Sequence, residues 1–190
     1  TRNTAIDNAQ GEYLFFMDSD DEIIPTCIEI LVHKMQEHPV DFIAASHMKK
    51  DLSGKTYPTY TYSPILIQGD DLPVAQYRYA QNNDIYVMSW NKLYNLKSHN
   101  IQCIPHQLVE DCWFTYQVII SAKSCQLISD QTLYYTINPE STTSKIKTQG
   151  YSMKLSISYA EIEKTKRAYI AHLRAHSIYP CLLFDTMFMG

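Results

Sequence analysis

Apolar and polar positions along this chain switch repeatedly between a strand-like and a helix-like period. Tyr13-Leu-Phe-Phe-Met17 is an unbroken apolar run, the pattern of a strand buried on both faces, and it leads straight into Asp18-Ser-Asp20-Asp21. Ahead of it, residues 3–9 predict a helix stopped by Gly11. After it, Pro25 opens a helix whose inward face carries Ile28, Leu31, Val32 and Met35. Val40 to Ser46 returns as a strand. Residues 48–68, with Tyr57, Pro58, Tyr60, Tyr62 and Pro64, lack a helical period and predict irregular or hairpin structure. A capped helix from Asp70 to Gln81, a strand over 86–94, a short helix after Tyr94, a helix from Glu110 to Ala122 and strands over 126–128 and 132–137 continue the alternation. The class is therefore α/β over residues 1–145, followed by a helical extension over 146–190.

In that extension Tyr151, Leu155, Tyr159, Ile162, Ala168 and Tyr169 recur at helical spacing with Lys and Arg between them. Two readings stand: a helix packed on the domain, or a basic amphipathic helix lying against a membrane face or a lipid-linked ligand. The closing stretch from Ile178 to Gly190 is apolar and too short to span a bilayer.

Composition narrows the function classes. Hydrophobic residues make up 45%, charged residues 19% and the net charge is -4, so the chain carries no basic footprint for nucleic acid. No signal-peptide pattern opens it. Cys27, Cys103, Cys112, Cys125 and Cys181 show no CxxC or Cys/His zinc spacing and are expected to be reduced structural thiols.

The chemistry concentrates where the first strand ends. Open α/β sheets place ligands at the carboxyl ends of their strands. If the chain stays extended through Asp18-Ser19-Asp20, both carboxylates share a face and can address one ion, with Asp21 beside them. Hard oxygen donors suit Mg2+ or Mn2+, which keep coordination positions for water and substrate phosphates. Strand termination and helix capping are the plainer use of the same Asp residues.

The segment from Thr1-Arg2-Asn3 through Gly11-Glu-Tyr to Asp18-Ser-Asp20-Asp21 resembles the central signature of family-2 glycosyltransferases of the GT-A fold. Ser89-Trp90-Asn91-Lys92-Leu93-Tyr94 resembles that family's Trp-Asn-Lys-Leu-Tyr strand, and Val109-Glu110-Asp111-Cys112-Trp113-Phe114 its Glu-Asp motif. Thr132-Leu-Tyr134-Tyr135, followed by Asn138-Pro-Glu-Ser141-Thr-Thr143-Ser144, matches the strand and Ser/Thr-rich loop of many bacterial members. The resemblance implies a Rossmann-like three-layer sandwich. Because members begin with further βα units before the Arg-Asn helix, it also implies a sandwich incomplete at its N-terminus.

It further implies an inverting, metal-dependent transfer of a sugar from a nucleotide-diphosphate donor, a UDP-sugar, to a glycan or lipid-linked glycan hydroxyl in bacterial cell-surface polysaccharide synthesis. The cytoplasm, at the inner face of the membrane, is the implied location. In that reading Asp18, Asp20 and Asp21 are candidate metal ligands, Arg2, Asp18 and Asp20 hold the donor diphosphate, and Asp111 is the catalytic base with Glu110 as neighbour or alternate. Trp90 is a candidate floor for the acceptor sugar, with core packing as its plainer use. Arg2 also reads as a surface residue beside a helix start, Glu110 and Asp111 as helix-start acids meeting the dipole, and His106 as a solvated loop residue. Two other classes use part of the same pattern: a metal-dependent phosphoryl- or nucleotidyl-transfer enzyme, and a non-catalytic module that binds glycan or a protein partner.

Overall fold

The apolar run forms β1 (Tyr13–Phe15), preceded by α1 (Arg2–Asn8), and the acidic segment then turns into a short β2 (Glu22–Ile23). The computed structural model describes residues 2–59, 61–69, 88–98, 110–141 and 144, and then 152, 153, 156–158, 160, 161, 164 and 167. The chain continues through α2 (Cys27–Glu37), β3 (Phe42–Asp51), β4 (Thr56–Tyr57), β5 (Ile65–Gln68), β6 (Lys92–Asn95), a 3-10 turn (Leu96–Ser98), α3 (Glu110–Ser121) and β7 (Ser124–Ile137). The helix expected over 70–81 and most of the 146–190 extension lie outside the described residues. Positions 153, 156–158, 160, 161, 164 and 167 within that extension are helical.

Among the described residues one mixed sheet runs in the order β1-β6-β3-β7-β2, with β4 added to β3 and β5 to β7. β3 and β7 are parallel and central, and every other pairing is antiparallel. Both faces are covered. On one, Phe16, Phe42, Ala44, Tyr94 and Leu127 pack with Phe114 and Val118 of α3, and Ile6 of α1 leans on them. On the other, Ile43, Ala45, Leu93 and Ile128 pack with Cys27, Leu31 and Met35 of α2. The result is the three-layer α/β sandwich expected, and it explains why Phe42 to Ser46 reads as a continuous buried run.

Three local expectations change. The inward face of α2 carries Leu31, Met35 and, partly buried, Val32 as expected, but its first member is Cys27, and Ile28 is 42% exposed. A four-residue repeat keeps those side chains in register on one face. The strands expected over 126–128 and 132–137 are one 14-residue strand. Its polar interruption is taken up as irregularities in the ladder with β3, which shifts register on either side of Ser46. Finally, β3 extends five residues beyond Ser46, and the hairpin expected as one alternative over 48–68 is formed with β4 through a turn at Asp51–Gly54, where Gly54 takes φ 87. Cys27 and Cys125 are buried free thiols, and burial pushes the Cys125 thiol up to about 12.

Candidate active site

β1 delivers the acidic segment to the edge of the sheet, but the chain does not stay extended there. The Asp21 N–H donates to the Asp18 carbonyl at 3.1 Å and closes a turn. The shared-face geometry expected of Asp18 and Asp20 is therefore replaced by three different environments. Asp18 is half-buried, Asp20 is exposed and Asp21 is 7% exposed.

Asp18 Oδ1 accepts a hydrogen bond from Arg2 Nη2 at 2.8 Å, so the first turn of α1 is tied to the strand exit by an ion pair. With side chains 27% and 39% exposed, such a pair contributes about 1 kcal/mol or less to stability. Its value is positional: a guanidinium stands beside the carboxylates, where an anionic oxygen would otherwise be repelled.

Asp21 is held differently. Its Oδ1 accepts from the Thr136 backbone N–H at 2.9 Å, while Oδ2 is buried with no partner among the described residues. Burial, aided by the charges of Asp18 and Asp20 and opposed by the Thr136 N–H, lifts its carboxyl from 3.8 to about 6. An orphaned buried oxygen within a cluster of like charges is chemistry that a hard cation relieves. Among the described residues no group of three or more His, Cys, Asp or Glu, the three aspartates of this turn included, is placed so as to hold a metal ion together.

The Glu-Asp motif opens α3, with Asp111 half-buried in its first turn; the side chain of Glu110 is not among those described. One turn on, Phe114 packs edge-to-face on Phe16 and on Tyr94, each at 5.2 Å between ring centroids. Phe16 lies two residues before Asp18. This contact therefore seats the start of α3 alongside the strand that carries the acidic turn.

Trp90 has the opposite fate from an acceptor floor. It is 4% exposed, stacked on Tyr135 at 5.5 Å and 13°, and met edge-on by His47 at 5.0 Å. A ring enclosed on these sides packs the core rather than offering a face to a ligand. His106 lies outside the described residues.

The neighbour of Trp90 supplies a part that sequence reasoning missed. Asn91 is buried at φ 54, and its amide donates to the carbonyls of Ala45 at 2.9 Å and Ser46 at 3.0 Å while accepting from Thr132 Oγ1 at 2.8 Å. Its backbone N–H donates to the Phe16 carbonyl at 3.2 Å. One side chain thus ties β3 and β7 together, and its main chain holds the strand exit leading to Asp18.

A family model described as "Glycosyl transferase family 2" matches residues 1–108. The chain belongs to that family. Curated relatives of the family-2 chain include the poly(ribitol-phosphate) beta-N-acetylglucosaminyltransferase TarS of Staphylococcus aureus, 26% identical over 73% of this chain and 23% of its own length. The putative glycosyltransferase EpsH of Bacillus subtilis is 27% identical over 89% of this chain and 48% of its own. The chain therefore spans about a quarter to a half of these relatives.

Solved structures of S. aureus TarS 1–349 with UDP-GlcNAc and with UDP align over 98% of the chain, at 20% and 21% identity and TM-scores of 0.64 and 0.61. This chain covers 49% and 48% of the TarS chain in those alignments, and the shared fold accords with the GT-A fold that the sequence resemblance implies.

Proposed function

We propose that this chain carries the diphosphate-binding and acceptor-activating parts of an inverting glycosyltransferase. The enzyme would move a sugar from a nucleotide diphosphate to a glycan or lipid-linked glycan hydroxyl in cell-surface polysaccharide synthesis. The observation that carries the reading is the joint placement of the Arg2–Asp18 pair and the orphaned Asp21 carboxylate at the exit of β1, with the Asp111 turn seated alongside by Phe114 on Phe16. A UDP-sugar donor is favoured because the TarS relative has been solved with UDP and with UDP-GlcNAc.

In this reading Arg2 binds an oxygen of the donor diphosphate through its guanidinium, and Asp18, Asp20 and Asp21 are the residues that would hold a divalent cation. When bound, that cation stabilises the negative charge developing on the leaving diphosphate. Asp111 accepts the proton of the acceptor hydroxyl as that oxygen bonds to the anomeric carbon. The bond to the diphosphate oxygen breaks on the opposite face, which inverts the carbon. Glu110, beside Asp111, is the alternate base.

Work at the cytoplasmic face of a membrane is the location that a nucleotide-sugar donor together with a lipid-linked acceptor implies. It draws support from Met153 and Ile157, 79% and 56% exposed and one turn apart on helical positions. No described helix is long and apolar enough to cross a membrane.

The test is calorimetric titration of UDP and UDP-GlcNAc, with and without manganese, into the wild-type chain and Asp20→Ala. Manganese-dependent binding lost in the variant is expected; binding that ignores both manganese and the substitution, or no binding at all, overturns the reading. For transfer itself, Asp111→Asn is expected to lower the rate about 10²–10⁴-fold.

A further inference from the structure

Lys92, the first residue of β6, is only 3% exposed, and none of the roles assigned above uses it. A buried ammonium is costly unless an anion compensates it, and the Met88 carbonyl to which its Nζ donates is neutral. The fold says where the compensating charge sits.

Lys92 stands opposite Ala44 in the ladder with β3, and Ala44 packs in the cluster with Phe16, Phe114 and Val118, so the lysine stem leaves the sheet on the face that α3 covers. Because β6 runs antiparallel to both β1 and β3, its start lies at their carboxyl ends, where the chain exits to Asp18. The start of α3 lies at that end too. Its far end is fixed at the beginning of β3, where Asp41 Oδ2 accepts from the N–H groups of Lys123 at 2.6 Å and Ser124 at 3.0 Å. Since Lys92 Nζ reaches the carbonyl of a residue that precedes β6, the ammonium extends past the strand start toward the first turn of α3.

Two buried hydroxyls mark the same region. Ser89 Oγ and Thr115 Oγ1 have no partner among the described residues, and their residues are 0% and 1% exposed. The Ser89 carbonyl accepts from Tyr94 Oη at 2.9 Å, and Tyr94 packs on Phe114, which places residue 89 on the α3 side. Thr115 lies one turn after Asp111, so the two share a stripe of α3 that turns toward the sheet. The half-buried Asp111 is the carboxylate of that stripe.

We propose that Lys92 is a positioning residue: its buried ammonium, under the first turn of α3, holds the Asp111 carboxylate ionised and aimed at the acceptor hydroxyl. The role rests on the transferase reading above, in which Asp111 is the base. Sealed from solvent, Lys92 acts through Asp111 and not on the donor.

Urea unfolding of the full chain tests the pair with Lys92→Met, which keeps the length of the stem and removes the charge, with Asp111→Asn, and with the double variant. Asp111→Asn strands the ammonium and is expected to lower the unfolding midpoint by about 1–2 M, whereas in the Lys92→Met background the same change is expected to lower it by less than about 0.5 M. Equal losses in both backgrounds overturn the pair. The positioning role is read from manganese-dependent UDP release from UDP-GlcNAc, with water as acceptor, and from calorimetry of UDP-GlcNAc. Lys92→Met is expected to lower kcat about tenfold or more with the donor Kd unchanged, and to lower nothing further once Asp111 is Asn. A merely structural lysine would not give that split. Weaker donor binding in Lys92→Met with kcat unchanged assigns the ammonium to the diphosphate and overturns the proposal, as does a loss of kcat that adds to that of Asp111→Asn. A wild-type chain that binds no donor, or binds it without releasing UDP, overturns the positioning role. Coupled unfolding in such a chain places the failure in the transferase reading, and uncoupled unfolding in a chain that releases UDP places it in the pair.

Discussion

Replacing Asn91 by alanine removes a side chain that makes three buried hydrogen bonds, at 2.9, 3.0 and 2.8 Å. At a net ~0.5–1.5 kcal/mol each, their loss costs roughly 1.5–4.5 kcal/mol, with the Ala45 and Ser46 carbonyls and the Thr132 hydroxyl left behind as desolvated groups. A second cost is local. Asn91 sits at φ 54, where alanine carries a steric penalty of roughly 1–2 kcal/mol that glycine escapes. Asn91→Gly is therefore expected to lose the bonds but keep the backbone, and to be about 1 kcal/mol less damaging than Asn91→Ala.

Equilibrium urea unfolding of the full chain measures both. Thr132→Val completes a cycle whose coupling to Asn91→Ala is expected to be about 1 kcal/mol. A loss under about 1 kcal/mol in Asn91→Ala, or a glycine variant as destabilised as the alanine one, would refute the hub. Because the same residue holds the Phe16 carbonyl, the alanine variant is also expected to bind UDP with manganese more weakly than the glycine variant.

Asp21 and Phe114 give further tests. The folded Asp21 carboxyl is raised from 3.8 to about 6, so its contribution is fully present below the unfolded value and is lost as pH rises through about 6. In metal-free buffer stability should fall between about pH 4 and 7 by up to ~3 kcal/mol, and Asp21→Asn should flatten that slope in urea melts taken across the range. A pH slope unchanged in the variant would place the titration elsewhere. Phe114→Ala removes a ring that is 3% exposed and wedged against Phe16 and Tyr94. It is expected to cost ~3–5 kcal/mol by chemical unfolding, and a loss below about 1.5 kcal/mol would show that α3 is not seated by this contact.

The parts of the fold that were legible are those where burial writes itself into a continuous run. Tyr13 to Phe16 and Phe42 to Ser46 are covered on both faces, so their strands and the acidic exit of the first are legible directly, although Met17, the last residue of the apolar run, is 47% exposed. The face of α2 is legible at Leu31, Val32 and Met35 but not at its start, because Cys27 is a small residue that packs as a hydrophobe, while the larger Ile28 is exposed. Ser129-Asp130-Gln131 reads as a loop between strands, because nothing local says that a neighbouring strand will carry the irregularity.

Asn91 was illegible for the same reason at longer range. Its partners are Ala45, Ser46 and Thr132, and a left-handed asparagine leaves no trace in periodicity. Trp90 shows the converse: its residue type suggested a sugar platform, but Tyr135 and His47, which enclose it, lie far away in sequence.

The central pairing of β3 with β7 sets Ile43 opposite Gln126, the Ser46–Ile128 bond beside it spans 82 positions and the Asp21–Thr136 bond spans 115. Pairings this distant close large loops before any contact rewards them, so they form late. During synthesis β1 and its carboxylates emerge early yet must wait for β7 before Asp21 is anchored or Asn91 meets Thr132. Until residue 136 clears the ribosome Asp21 lacks its Thr136 N–H, and β3 offers the edge meant for β7 to any passing strand. β7, the last described strand of the sheet, is thus both the clasp that completes the site and the step at which a nascent chain is most exposed to mispairing.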